Sequence, residues 1–223
     1  MEIISATKLS EHDFWNRAAL GISLRRLQQD QRLVARVAFA NAQGLPEVYN
    51  SRIAAADPSD ILVFIHDDVW IDDYFLADRV IEGLREFDVL GVAGNRRRAA
   101  RQPAWAFVDR AFTWDNGANL SGRVGHGASA GGAIAWFGDV PASCELLDGV
   151  FLAARKDVLA THGVLFDPQF PFHFYDLDFC RTARQCGLRL GTWPICLTHQ
   201  SPGAFGTPQW DAAYRAYLEK WGE

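Results

Sequence analysis

The chain has 223 residues, 49% of them hydrophobic and 22% charged, with 22 basic against 27 acidic side chains and a formal charge of −5. That is a globular profile, and it argues against a nucleic-acid binder, whose affinity rests on many Lys and Arg contacts to phosphate. The longest apolar run is five residues, as at 61–65, against the roughly 20 that a membrane-spanning helix needs, so no integral membrane segment is expected.

The first residues, Met1-Glu2-Ile3-Ile4-Ser5-Ala6-Thr7, form a strand start and not the basic, apolar and small-residue succession of a secretion signal, which predicts a cytoplasmic protein. Cys144, Cys180, Cys186 and Cys196 show no CxxC pair and read as reduced core residues. Ser10 offers an N-cap for a helix reaching about Gln29, and 33–39 reads as a second strand. Gly44-Leu45-Pro46 precedes a helix over 47–56, which Asp57-Pro58-Ser59-Asp60 ends. Ile61-Leu62-Val63-Phe64-Ile65 has the β-rich continuity of a strand buried on both faces, and it runs directly into His66-Asp67-Asp68. A helix over 72–87 and a strand over 89–94 follow.

Strand and helix alternate through this half, which predicts an α/β fold with a mostly parallel central sheet flanked by helices. Residues 95–147 break the rhythm with an Arg cluster, aromatics and seven glycines between 117 and 138, read as hairpins or a mobile lid. Strand character returns at 147–154, a helix at 156–161, and a further helix from about Asp176 to Gly187. Strands are expected at 188–190 and 195–198. The last helix carries Trp210, Ala213, Tyr214, Tyr217, Leu218 and Trp221 on one face. With neither repeat nor linker, one domain is expected.

Ligands of open parallel sheets bind beyond the carboxyl ends of the strands, where His66-Asp67-Asp68 stands. Adjacent carboxylates repel unless a cation or hydrogen bonds hold them, so a divalent ion is one reading and a helix cap the other. Asp176-Leu177-Asp178 opens a helix, where the dipole favours ionised carboxylates; one is a general-base candidate and the other a cap. His199, in Thr198-His199-Gln200-Ser201-Pro202-Gly203 after a strand, is a metal-ligand candidate or a structural histidine. Arg96, Arg97, Arg98 and Arg101 read as a solvated basic loop, with contact to phosphate as the alternative. Trp70, Trp105 and Trp114 are the tryptophans nearest to these segments.

Tyr49-Asn50-Ser51-Arg52, the 60–65 strand and His66-Asp67-Asp68-Val69 resemble the donor-binding half of GT-A glycosyltransferases related to family 2. Asp148-Gly149-Val150-Phe151-Leu152, then Phe174-Tyr175-Asp176-Leu177-Asp178, then His199 resemble the acceptor half. The resemblance runs from about 33 to 205. It implies a donor-binding half over about 1–95, a catalytic half over about 96–205 and a C-terminal helix over about 208–221. Asp68 matches the second Asp of a DxD metal motif, with His66 where the first Asp usually stands. His199 matches a further metal ligand and Asp176 the catalytic base. Asp148 and Gly149 match the lining of the sugar pocket, and His66, Asp67, Asn50 and Asn41 fall in the donor-binding set. Asp178 and Trp70 are secondary candidates. The N-terminal strand departs from the family, offering Ser5-Ala6-Thr7.

The activity so implied is an inverting transfer from a nucleotide-diphospho-sugar to an acceptor hydroxyl, carbohydrate or other, with Mn²⁺ or Mg²⁺ as cofactor. A non-catalytic nucleotide- or carbohydrate-binding module on the same scaffold is the alternative. A phosphohydrolase using the acidic pair fits poorly, since it needs a downstream Lys and the chain has only Lys8, Lys156 and Lys220.

Overall fold

The apolar strand β1 (Glu2–Ala6) lies between two parallel neighbours in the structure, a computed structural model that describes residues 1–56, 60–201 and 203–223. Ser10 caps the next helix, its hydroxyl accepting the Asp13 N–H at 3.1 Å. The single helix expected to Gln29 is two, α1 (Glu11–Arg17) and α2 (Ala19–Arg26), separated by an extended Ala18. The restart has a use: the Leu20 N–H, left without a partner in its own first turn, donates to the Asp67 carbonyl at 3.1 Å and so pins the acidic motif.

Strand β2 (Val34–Ala38) and helix α3 (Leu45–Ile53) follow, the helix starting earlier than its apolar spacing suggests because the fixed φ of Pro46 suits a first turn. Asp57, Pro58 and Ser59, expected to end it, lie outside the described residues. Next come β3 (Ile61–Ile65) and β4 (Val69–Ile71). Helix α4 (Leu76–Glu86) begins after Asp72, not at it, since the Asp72 carboxylate is taken by the Thr198 hydroxyl at 2.6 Å and the Gly131 N–H at 3.0 Å. The strand expected over 89–94 is divided into β5 (Val89–Gly91) and β6 (Ala93–Asn95), which enter different sheets.

The irregular stretch contains a hairpin, β7 (Leu120–His126) with β8 (Ala133–Gly138), and two short strands, β9 (Ala142–Cys144) and β10 (Leu146–Leu147). Of the two readings of the glycine-rich stretch, it therefore takes the hairpin form. Then follow β11 (Phe151–Arg155), α5 (Lys156–His162), α6 (Tyr175–Gln185), β12 (Leu190–Thr192), β13 (Leu197–His199) and α7 (Pro208–Trp221).

The larger sheet has the order β2-β1-β3-β11-β5-β12-β9. Strands β2, β1, β3, β5 and β12 run one way and β11 and β9 the other, so it is mostly parallel, with β11 inserted between β3 and β5. The second sheet, β10-β6-β7-β13-β4 with β8 on β7, sets β13 antiparallel to β4, so that His199 pairs with Val69. This crossing brings His199 over the turn that follows β3. The core runs through β3, whose Leu62, Val63, Phe64 and Ile65 are buried, each contributing on the order of 1.5–3 kcal/mol. Helix α7 packs Trp210, Tyr214 and Tyr217 against Phe174, the residue that opens α6. Among the described residues, no helix is long and apolar enough to cross a membrane.

Candidate metal and catalytic site

Two strand ends make one side of the site. His66 and Asp68 follow β3, and His199 closes β13 with its Nε2 3.2 Å from Asp68 Oδ1 and 3.1 Å from the Ser201 hydroxyl. The ligand-capable atoms of His66, Asp68 and His199 all lie within 4.8 Å of one another. Burial works to raise the Asp68 carboxyl, but the hydrogen bond and charge of His199, with help from Ser201, outweigh it and hold it at about 2. Burial likewise disfavours the charged His199, but the Asp68 carboxylate prevails and raises the imidazole above its ordinary value. His66 is lowered, by burial first and then by the neighbouring His199, against the pull of Asp68.

The other side is the start of α6. Asp176 accepts the Gly149 N–H at Oδ2 (3.0 Å) and the Leu177 N–H at Oδ1 (2.9 Å). Burial, followed by the charge of Asp148, nevertheless pushes its carboxyl up to about 7, so it titrates where a general base is useful. Asp148 is held by the Trp105 indole N–H at 2.8 Å and the Val150 N–H at 2.9 Å. The Tyr175 hydroxyl reaches both the Gly149 carbonyl and His66 Nε2, each at 2.8 Å.

Both sides open into one cavity of about 580 Å³, lined by His66, Asp67, Asp68, Asp148, Gly149, Asp176 and His199 among others. Trp105, Trp114, Phe172 and Phe205 form its aromatic walls, the last three of them exposed.

Other candidates from the sequence stand elsewhere. The Asn41 side chain closes a local turn with Gln43, donating at 2.7 Å and accepting at 3.2 Å. Asn50 clamps the Phe166 backbone by both its amide atoms, at 2.7 and 2.9 Å. Neither lines the cavity, because each is spent on backbone groups. Trp70 is likewise outside the lining, its strand position pairing with Thr198. Asp178 points away, to Lys220 at 2.7 Å and the Trp221 indole at 3.0 Å, and ties α6 to α7. Two guanidiniums of the basic loop are paired: Arg97 binds Asp115 at 2.9 and 2.5 Å, and Arg98 binds the Glu223 carboxylate, which also accepts the Arg101 backbone N–H.

Sequence reasoning missed Tyr175, Ser201 and Phe172, which lie beside the predicted groups, and Tyr49, a buried pocket-lining phenol whose hydroxyl has no partner among the described residues. Tyr175 had one signal: it immediately precedes the base candidate at a helix start. The donor set itself suits a divalent cation, for two imidazoles and a carboxylate already ionised by its neighbours bring ligand-capable atoms within 4.8 Å of one another.

No family model and no curated protein matches the chain. Solved structures do. The catalytic domain of Drosophila β1,4-galactosyltransferase 7 with xylobiose matches 96% of this chain and 78% of its own at a TM-score of 0.52 and 10% identity. A mutant of the same Drosophila enzyme with manganese, UDP-Gal and xylobiose matches 95% and 79% at 0.52 and 9%. GalNAc-T7 with UDP, GalNAc and Mn²⁺ matches 98% of this chain at 0.54 and 11%, and this chain spans only 47% of that structure. At such identities the likeness is one of fold, and the fold is GT-A, as the sequence motifs predict.

Proposed function

We propose that this chain is a metal-dependent glycosyltransferase that moves a sugar from a nucleotide-diphospho-sugar onto an acceptor hydroxyl, with inversion at the anomeric carbon. One observation carries the reading: a convergent His66, Asp68 and His199 cluster shares its cavity with Asp176, a carboxyl pushed up to about 7. The Drosophila structure with manganese, UDP-Gal and xylobiose lends support through a shared fold.

In this reading the whole chain works as one catalytic domain, its donor half over about 1–95 and its acceptor half over about 96–205. His66, Asp68 and His199 hold Mn²⁺ or Mg²⁺, and the bound cation supplies neutralisation of the negative charge that develops on the departing diphosphate. Asp148 and Gly149 line the sugar pocket, with Trp105 fixing the Asp148 carboxylate. The acceptor enters along the exposed faces of Trp114, Phe172 and Phe205, surfaces suited to the apolar face of a carbohydrate. Its hydroxyl proton passes to the Asp176 carboxylate, which the Gly149 and Leu177 amides keep oriented. Attack from the face opposite the leaving group is a single displacement and inverts the centre. The four unpaired cysteines suit a reducing compartment, in keeping with a cytoplasmic site of action.

The test is nucleotide release. Incubated with a panel of nucleotide-diphospho-sugars and Mn²⁺, the protein is expected to release nucleoside diphosphate slowly from at least one, and Asp68→Asn is expected to release none. A pure binding module would release none above the metal blank in either form.

A further inference from the structure

Tyr175 belongs to neither the metal cluster nor the base, yet its hydroxyl meets His66 of the one and it immediately precedes Asp176, the other. It is 3% exposed, and its hydroxyl has a single proton to give. The Gly149 carbonyl, 2.8 Å away, can only accept, so it takes that proton. The same phenol oxygen lies 2.8 Å from His66 Nε2. With its proton committed, the oxygen is an acceptor there, and Nε2 must carry the hydrogen. His66 is thereby left with its lone pair on Nδ1. Which nitrogen of an imidazole binds a metal is set by the hydrogen bond that the other makes.

Position 149 shows how tightly this is built. A Cβ there would stand 2.3 Å from the Tyr175 hydroxyl oxygen and 2.7 Å from the ring carbon bearing it, so a glycine is what admits the phenol. Phe174, immediately before Tyr175, has a left-handed backbone at φ +65°, and its ring is covered by Trp210, Tyr214 and Tyr217 of α7. The phenol is thus fixed from both ends.

We propose that Tyr175 is a positioning residue that locks His66 in the Nε2–H tautomer and so presents Nδ1 as the third protein ligand of the His66, Asp68 and His199 centre. The proposal rests on that cluster being a metal site, and it deepens the reading by naming the His66 nitrogen that faces the ion and the residue that selects it. It also assigns the Gly149 backbone a double role, its carbonyl setting the metal ligand and its N–H setting the base.

The tautomer is read directly from long-range ¹H–¹⁵N spectra of metal-free protein at alkaline pH, with the His66 signals assigned by His66→Gln. The expected pattern is a protonated Nε2 in the wild type and a mixture of tautomers in Tyr175→Phe. A protonated Nδ1 in the wild type overturns the proposal, whether or not the variant folds. Mn²⁺ affinity, measured by electron paramagnetic resonance, should fall roughly 10–100-fold in a folded Tyr175→Phe. Unchanged affinity in that variant also overturns it. If the wild type and Asp68→Asn bind Mn²⁺ equally poorly, the metal reading itself fails, while the spectra still decide the tautomer.

Discussion

The Gly149 amide donates to Asp176 at 3.0 Å, and this contact joins residues that come from the turn before β11 and from the first turn of α6. Because the same glycine accepts from Tyr175, the base and the histidine at the end of β3 are held through the two peptide groups that flank one residue. The space around the Gly149 Cα is already full, with the Asp176 Cβ only 2.9 Å from a Cβ built on residue 149.

Gly149→Ala should therefore destabilise the fold by about 1–3 kcal/mol, the usual cost of forcing a methyl into a packed site. It should also slow donor hydrolysis, since both Tyr175 and Asp176 must shift. Chemical denaturation checks the first effect, and wild-type stability would contradict the close packing.

Asp176→Asn removes the base and keeps the shape. Transfer or donor hydrolysis should fall about 10²–10⁴-fold, while nucleotide affinity stays within about twofold. Loss of nucleotide binding would show that Asp176 serves the donor instead.

The raised Asp176 carboxyl gives a pH profile with a defined sign. Only the ionised form accepts a proton, so turnover should rise with pH around a midpoint near 7 and level above it. Stability should move the other way. The folded state favours the protonated carboxyl, so the contribution of this group to stability is greatest below the ordinary value of 3.8, falls as pH climbs towards about 7 and is level beyond. The fall should be on the order of 2–4 kcal/mol and absent from Asp176→Asn. Thermal denaturation across this pH range checks it.

Two imidazoles and one carboxylate favour a transition metal over Mg²⁺, which prefers an all-oxygen shell. Mn²⁺ should bind about tenfold or more tightly than Mg²⁺, and His199→Ala should abolish the difference. Calorimetric competition between the two ions measures it.

Asp178 provides the contrast. Its contacts are Lys220 and Trp221, outside the cavity, so Asp178→Ala should cost about 1–3 kcal/mol of stability and leave Mn²⁺ affinity unchanged. A change in Mn²⁺ binding would return Asp178 to the site.

The residues legible in the sequence were those whose position followed from an element boundary. His66, Asp67 and Asp68 stand at the end of a strand that could only be buried, and Asp176 at a helix start, so topology alone brought them to one cavity. Asn41 and Asn50 stand outside the cavity lining because an amide side chain serves a backbone as readily as a ligand, and the Gln43 and Phe166 partners are matters of local geometry. The division of 89–94 was hidden for a related reason: an apolar run does not say that its two halves pair in different sheets. Tyr175 was hidden because its role depends on Gly149, 26 positions away, being small enough to admit it.

The central claim is that the His66, Asp68 and His199 centre binds a nucleotide diphosphate through a divalent cation. Titrating the wild type and Asp68→Asn with UDP, GDP, CDP and dTDP, with and without Mn²⁺, tests it most directly. The expected result is at least one diphosphate bound about tenfold or more tightly with Mn²⁺, a gain of ~1.4 kcal/mol that disappears in Asp68→Asn. Binding of all four that is absent or indifferent to Mn²⁺ would contradict it.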